Sequence, residues 1–334
     1  MATRKRKSKS RKSKKQNKGL EGILVILFLL VFSAAFLYIS GVRPKQAIKT
    51  AAESLNDIIQ AAEGVVPAEE HIPAPTTLRS ELADESDGES VWEDLPVGLQ
   101  IPRCEAVSAA ENGKTVRGHE IQRYAGFTLC YREEYELAEW VAYCLTSAEL
   151  TKNTTRSNNF HSDTKISTDS ATPEDYTRSG FDRGHLAPAA DMAFSTAAMN
   201  DSFLMSNMSP QKPAFNRGIW KKLEEQVRKW AADFGAVFVI SGPILEKPAS
   251  EYASIGKNAV CVPEYFYKVL LTKSGDSLIA VAFVFPNDNA KGSIWDYAVS
   301  VDELEERTGL DFFYLLDDVR EKSVEKAFSP LDWN

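Results

Sequence analysis

Apolar positions in this chain fall into three kinds of run. The first is residues 22–42, twenty-one positions without a charge. That length matches the roughly 20 apolar residues that cross a bilayer as a helix, so it predicts one N-terminal transmembrane helix. The second kind is short and β-rich. Residues 121–131 and 139–146 flank the polar Arg132-Glu133-Glu134 and predict a hairpin, and 201–205, 236–241, 265–272 and 278–285 predict further strands. The third repeats at helical spacing. Ile219, Leu223, Val227 and Trp230 form one stripe of a helix over 215–234, stopped by Gly235. Ser300, with Glu303 three residues on, predicts a capped helix reaching Arg307. Strands and helices mix without regular alternation or repeat, which predicts an α+β domain over 101–334.

Charge changes this picture before residue 101. Residues 1–21 are a basic tail, with ten Lys or Arg and no acid among the first nineteen. Without those ten, 29 basic residues stand against 47 acidic ones, a balance of about −18. The basic excess before the apolar run, against Arg43, Lys45 and Lys49 after it, places the N-terminus in the cytoplasm and the domain outside it. A cleaved signal peptide ending near Ser33-Ala34-Ala35 is the rival reading, but the apolar run continues through Phe36, Leu37, Tyr38 and Ile39. A basic nuclear or nucleic-acid tail leaves that run unexplained. Residues 43–100 begin Ala-rich, with Leu55, Ile58 and Ile59 as a weak helical stripe over 45–63. They continue through Pro67, Pro73 and Pro75 into an acidic stretch holding Glu81, Asp84, Glu85, Asp87, Glu89, Glu93 and Asp94. Such a segment buries too little apolar surface to order itself and reads as a solvated tether.

An acidic body argues against tight, non-specific coating of DNA, and any site for a polyanion must gather its own positive charge. The four cysteines, Cys104, Cys130, Cys144 and Cys261, show no metal-ligand spacing, so no zinc site is expected. Cys130 and Cys144 could meet across neighbouring strands; buried free thiols are the alternative.

Reactive groups concentrate in Phe181-Asp182-Arg183-Gly184-His185-Leu186-Ala187-Pro188. His185 titrates near neutrality and could take a proton from water. Arg183 cannot be neutral and offers a fork that matches phosphate oxygens. On a strand the two share a face, while Asp182 points away and reads as a buried partner rather than a ligand. Downstream stand Asn207, Asn216 and Glu224. Taken singly, Asn207 is a turn former, Asn216 a helix cap and Glu224 a solvated helix carboxylate. Taken together with His185 and Arg183, they are the parts that hydrolyse a phosphodiester with one hard cation. Asn216 could offer a carbonyl oxygen to Mg²⁺, which keeps several waters. Eight residues of ideal helix would turn Glu224 about 80° from Asn216, so Glu224 acts through bound water or Asn216 precedes the regular helix.

The chain resembles the DNA/RNA non-specific endonucleases, the endonuclease-G-like branch of ββα-metal (His-Me finger) nucleases. The resemblance covers about 122–313. It rests on Trp140-Val141-Ala142-Tyr143, Thr155-Arg156-Ser157-Asn158-Asn159-Phe160, Asp182 to Pro188, Asn207-Met208-Ser209-Pro210-Gln211, Asn216-Arg217-Gly218-Ile219-Trp220-Lys221-Lys222-Leu223-Glu224 and Ser241-Gly242-Pro243, in that order. It implies a ββα-metal domain with a central mixed or antiparallel sheet and flanking helices. His185 matches the general base and Asn216 the metal ligand. Asn207 matches a supporting amide, Glu224 a carboxylate around the hydrated metal, and Arg156 and Arg183 the arginines that stabilise the phosphate. The resemblance further implies Mg²⁺, with Mn²⁺ as a substitute, DNA and RNA as substrates gripped by their phosphates, and 5′-phosphate products. The alternatives are an inactive nucleic-acid-binding module and a hydrolase of another phosphodiester. Oligomeric state is not legible.

Overall fold

The computed structural model describes Trp92 and residues 94–333. The basic tail, the apolar run 22–42 and the helix expected over 45–63 lie outside the described residues. So does nearly all of the acidic segment. Among the described residues no helix is long and apolar enough to cross a membrane.

Eleven strands and five longer helices are used below. The strands are β1 (His119–Arg123), β2 (Thr128–Arg132), β3 (Leu137–Thr146), β4 (Asp182–His185), β5 (Met208–Gln211), β6 (Ala236–Pro243), β7 (Ser254–Ile255), β8 (Val260–Cys261), β9 (Tyr265–Ser274), β10 (Ser277–Pro286) and β11 (Ala298–Val299). The helices are α1 (Glu105–Glu111), α2 (Thr196–Asp201), α3 (Lys221–Phe234), α4 (Val301–Thr308) and α5 (Asp318–Glu325). Seven strands form one sheet in the order β1-β2-β3-β6-β9-β10-β11, antiparallel throughout.

Both faces of this sheet are covered, which is why its central strands read as nearly continuous apolar runs. Successive side chains point to opposite faces. Val141, Tyr143 and Leu145 of β3 join the core under α3, with Leu223, Val227 and Trp230. Trp140, Ala142 and Cys144 join the opposite core, with Val301 and Leu304 of α4 and Val324 of α5. Leu223, Val227 and Trp230 are all but fully buried, each contributing about 1.5–3 kcal/mol. The helix ends at Gly235, whose φ of 88° suits glycine. Ser300 caps α4 by accepting from the Glu303 backbone N–H, as the sequence predicts.

Four readings of the sequence change in the structure. Residues 121–131 are two strands, β1 and β2, because a tight turn closes between Tyr124 and Phe127 (2.9 Å). Gly126 is needed there, since a Cβ would lie 2.6 Å from the Met192 sulfur. Residues 201–205 are no strand. Ser195 caps α2, and turns carry the chain on from it: Phe203 N–H donates to Asn200 and Leu204 N–H to Asp201. Their apolar side chains are buried because this segment folds over the core. Cys130 lies opposite Trp140, and Cys144 opposite Phe238, so those two cysteines do not face each other. Cys104 is the neighbour of Cys130 instead, and all four cysteines are buried free thiols. The core also takes in Leu95 and Leu99, ahead of the expected start at 101.

The β4–β5 hairpin and α3 form a ββα unit. In it Asp182 pairs with Gln211, Arg183 with Pro210, Gly184 with Ser209 and His185 with Met208. Gly184 is forced by packing, because a Cβ there would come within 2.1 Å of the Gln211 side chain. Asn287, just past β10, fastens β5 to the main sheet. Its Nδ2 donates to the carbonyls of Pro210 (3.0 Å) and Pro263 (2.9 Å), and its Oδ1 accepts from Lys212 N–H (2.8 Å).

Candidate active site

The ββα unit opens onto a cavity of about 470 Å³ lined by Arg156, Arg183, His185, Asn216, Arg217, Lys221, Glu224 and Arg228, with Pro188, Ala189 and Ala190 as its apolar wall. Of the six residues singled out from the sequence, five line it. Asn207 lies behind it.

His185 ends β4 and is buried. Its ring hydrogen-bonds the Arg183 backbone, and its Nε2 has no protein partner. Two phenyl rings box it in edge-on, Phe203 at 5.0 Å and Phe160 at 5.8 Å. Burial, helped by the Arg156 guanidinium, lowers its pKa from 6.5 to about 3. The imidazole is therefore neutral at physiological pH, and Nε2 is available to accept a proton.

The same two rings seat the arginines. Arg156 lies 4.9 Å over Phe203, and Arg183 lies 4.9 Å over Phe160. Such cation–π contacts hold a guanidinium with few of its donors consumed. Arg156 spends one donor on Asn158 Oδ1 (2.9 Å) and Arg183 one on the Pro173 carbonyl (3.1 Å). This aromatic platform is not legible in the sequence beyond Phe160 standing in the Thr155–Phe160 motif. Its other half, Phe203, sat in a run that read as a strand.

Asp182 turns away from the strand face shared by Arg183 and His185, as alternation predicts. It accepts Asn216 Nδ2 (2.9 Å) and a two-pronged contact from Arg217, Nε at 2.8 Å and Nη2 at 2.6 Å. That fixes the Asn216 amide with its nitrogen occupied and its carbonyl oxygen left as the free end. Asn216 precedes the regular helix. A π turn spans Asn216–Trp220, with Gly218 at φ −101°, ψ −112°, and α3 begins at Lys221. The ideal-helix separation of Asn216 and Glu224 thus does not apply, and both reach the cavity.

Asn207 is fully buried and spends its amide on the backbone. Oδ1 accepts from Ala187 N–H (2.9 Å), while Nδ2 donates to the carbonyls of Ala187 (2.9 Å) and Ser202 (2.8 Å). It pins the chain two residues beyond His185.

Behind Glu224 lies a charged group that the motifs did not mark. Lys268, in an apolar stretch of β9, is buried, donates to Ser241 Oγ and rests 4.7 Å over Trp220. Asp191 is buried, accepting Arg228 Nη1 (2.7 Å) and Tyr143 Oη (2.8 Å). Burial raises the Glu224 pKa; Lys268 opposes that most strongly, and Asp191 adds to it. Burial likewise lowers Lys268, with Glu224 opposing. A lysine inside Tyr265-Phe266-Tyr267-Lys268-Val269-Leu270-Leu271 was the visible signal for it. Arg228, one helical turn after Glu224, was the signal for the cavity's further cation. Five cations therefore line one cavity of an acidic protein, the local concentration a polyanion site needs.

Comparison with known proteins agrees with this architecture. The chain is 36% identical over 210 residues to the mitochondrial nuclease EXOG of Danio rerio, covering 59% of this chain and 61% of that protein. It is 35% identical over 205 residues to mitochondrial endonuclease G of Bos taurus, covering 58% of this chain and 69% of that one. The chain thus spans about three fifths of the first relative's length. Among solved structures, that of an EndoG/EndoGI inhibition complex aligns with TM-score 0.54 and 31% identity over 59% of this chain and 86% of that chain. The profile of the DNA/RNA non-specific endonucleases matches residues 107–319, more than half of the chain and all of the ββα unit. The chain belongs to the DNA/RNA non-specific endonuclease family.

Proposed function

We propose that this protein is a metal-dependent endonuclease that hydrolyses phosphodiester bonds in DNA and RNA with little sequence preference. The observation that carries the reading is the pairing of a neutral, buried His185 with an unpartnered Nε2 and an Asn216 amide whose nitrogen is already spent on Asp182. A base and a hard oxygen donor line one cavity. In this reading Asn216 Oδ1 and, through water, Glu224 hold Mg²⁺, or Mn²⁺ in its place. The residues fit such an ion, since a carbonyl and a carboxylate are the oxygen donors hard cations take. When bound, the cation supplies Lewis acidity toward a phosphate oxygen and the leaving 3′-oxygen.

The chain's own groups do the rest. His185 Nε2 accepts a proton from the attacking water. Arg156 and Arg183, preset on their phenyl platforms, balance charge on the phosphoryl oxygens. Asp182 orients Asn216, and Asn207 holds the backbone beside His185. Contacts to phosphate carry no sequence information, which is the physical reason for broad specificity. Bond cleavage at the 3′-oxygen leaves 5′-phosphate ends.

Residues 22–42 in this reading anchor the chain in a membrane, with the basic N-terminus cytoplasmic and the nuclease domain on the other side. The uncharged run and the basic residues ahead of it support this. Incubating the protein with plasmid DNA and with RNA, with Mg²⁺ or with chelator, tests the activity. Cleavage of both only with the metal is expected. Turnover of a small diester with both polymers left intact would overturn it. Protease protection of the domain in sealed vesicles tests the topology.

A further inference from the structure

On the face of the sheet away from His185, α4 and α5 pack into the second core through Val301, Leu304 and Val324. Where they meet, their polar sides do not match. Asp302 and Glu305 stand one turn apart on α4, and Glu325 is the last residue of α5. One carboxylate oxygen from each lies within 4.8 Å of the others. Glu325 is 6% exposed, and its Oε1 has no hydrogen-bond partner. A buried acceptor aimed at two more carboxylates is costly, since it loses water and gains only like charge. The arginines of the two helices do not relieve it. Arg307 is paired with Glu246, and Arg320 with Asp94 and Asp317. Glu305 is oriented by the Phe312 N–H, which donates to its Oε1 at 2.7 Å.

We propose that Asp302, Glu305 and Glu325 form a calcium site that fastens α4 to α5, separate from the catalytic cavity. Three oxygens no more than 4.8 Å apart put an ion at most about 2.8 Å from each, which admits the roughly 2.3–2.6 Å contacts of Ca²⁺, and the flexible Ca²⁺ shell suits three carboxylates of unequal exposure better than the rigid octahedron of Mg²⁺. Asp302 is exposed, so waters can complete the shell from that side. Asp302 and Glu305 set like charge beside the buried Glu325, and a bound divalent ion would offset it.

The test is the melting temperature of the full chain in calcium chloride against chelator, for wild type, Asp302→Asn, Glu325→Gln and Asn216→Ala. Calcium at about a hundred times its Kd should raise the wild-type midpoint by roughly 5 °C or more. The rise should vanish in D302N, which alters an exposed side chain, and in E325Q, which keeps the shape. It should persist in N216A, where the proposed nuclease ligand is gone. No rise in wild type, or a rise that survives in D302N and E325Q, would sink the proposal and leave a proton as what holds the cluster. A rise lost in N216A would place the ion in the catalytic cavity instead and sink it equally. Nuclease activity does not enter the readout, so failure here is distinct from failure of the proposed function.

Discussion

Asp182 accepts the Asn216 amide nitrogen at 2.9 Å across 34 residues of sequence. The contact settles which end of that amide faces the cavity. Asp182 also takes both prongs of Arg217. A carboxylate that orients a metal ligand from behind is typically worth about 10–100-fold in metal affinity. Asp182→Asn should therefore raise the Mg²⁺ concentration for half-maximal cleavage by about that factor, with the far-ultraviolet dichroism unchanged. Unchanged metal demand would remove Asp182 from this role. Asn216→Ala should raise the demand further.

His185→Ala should lower cleavage by at least about 10²-fold while leaving the fold and DNA binding intact, because general-base catalysis supplies about 10²–10⁴-fold. Full activity in this variant would end the assignment.

The same histidine leaves a mark on stability. Its folded pKa, about 3, lies below the 6.5 of the free side chain. The folded state therefore binds fewer protons, so the contribution is complete above about pH 6.5 and is lost as the pH falls toward 3. Linkage sets a slope of up to about 1.4 kcal/mol per pH unit in that window. Denaturant unfolding of His185→Asn should show a shallower loss of stability between about pH 6 and pH 4 than wild type.

Burial holds the Glu224 carboxyl above the usual carboxylate range, with Lys268 the strongest opposing influence. A raised carboxylate takes up its proton at a higher pH, and that proton competes with a hydrated cation. Half-saturating Mg²⁺ should rise as the pH falls from about 8 to about 6, and Glu224→Gln should flatten the dependence. A Gln variant with the wild-type pH dependence would refute the carboxylate's part.

Asn207→Ala should act mainly on stability. It strips partners from the buried Ala187 N–H and from the Ala187 and Ser202 carbonyls, each such loss costing about 1–3 kcal/mol. Calorimetry should show a melting point several degrees lower. Activity per folded molecule should fall less than in His185→Ala.

Much of the site was legible because its parts lie close in sequence on regular elements. Strand alternation placed Arg183 and His185 on one face and turned Asp182 away, and the ββα unit bears this out. The α3 stripe and its Gly235 stop, the Ser300 cap and the long strands were legible for the same reason: period and capping are local properties. The break between β1 and β2, a tight turn closed by Tyr124 and Phe127, was not, because the largely apolar run carries on through it. The stretch 201–205 misled because apolar content without period does not distinguish a strand from a turn folded over a core.

Sequence alone determined the local pattern and the inventory of reactive groups: the period of α3 and its Gly235 stop, the Ser300 cap and the long strands, and that a histidine, arginines, amides and a carboxylate recur in a family-like order. Tertiary structure decided what each group meets. It set Phe160 and Phe203 around His185, the π turn that brings Asn216 and Glu224 to one cavity, and Lys268 behind it. It also brought three carboxylates together between α4 and α5. The division is physical. Period and capping act over a few residues, whereas desolvation and Coulomb forces depend on distances through space, between residues that here lie tens of positions apart.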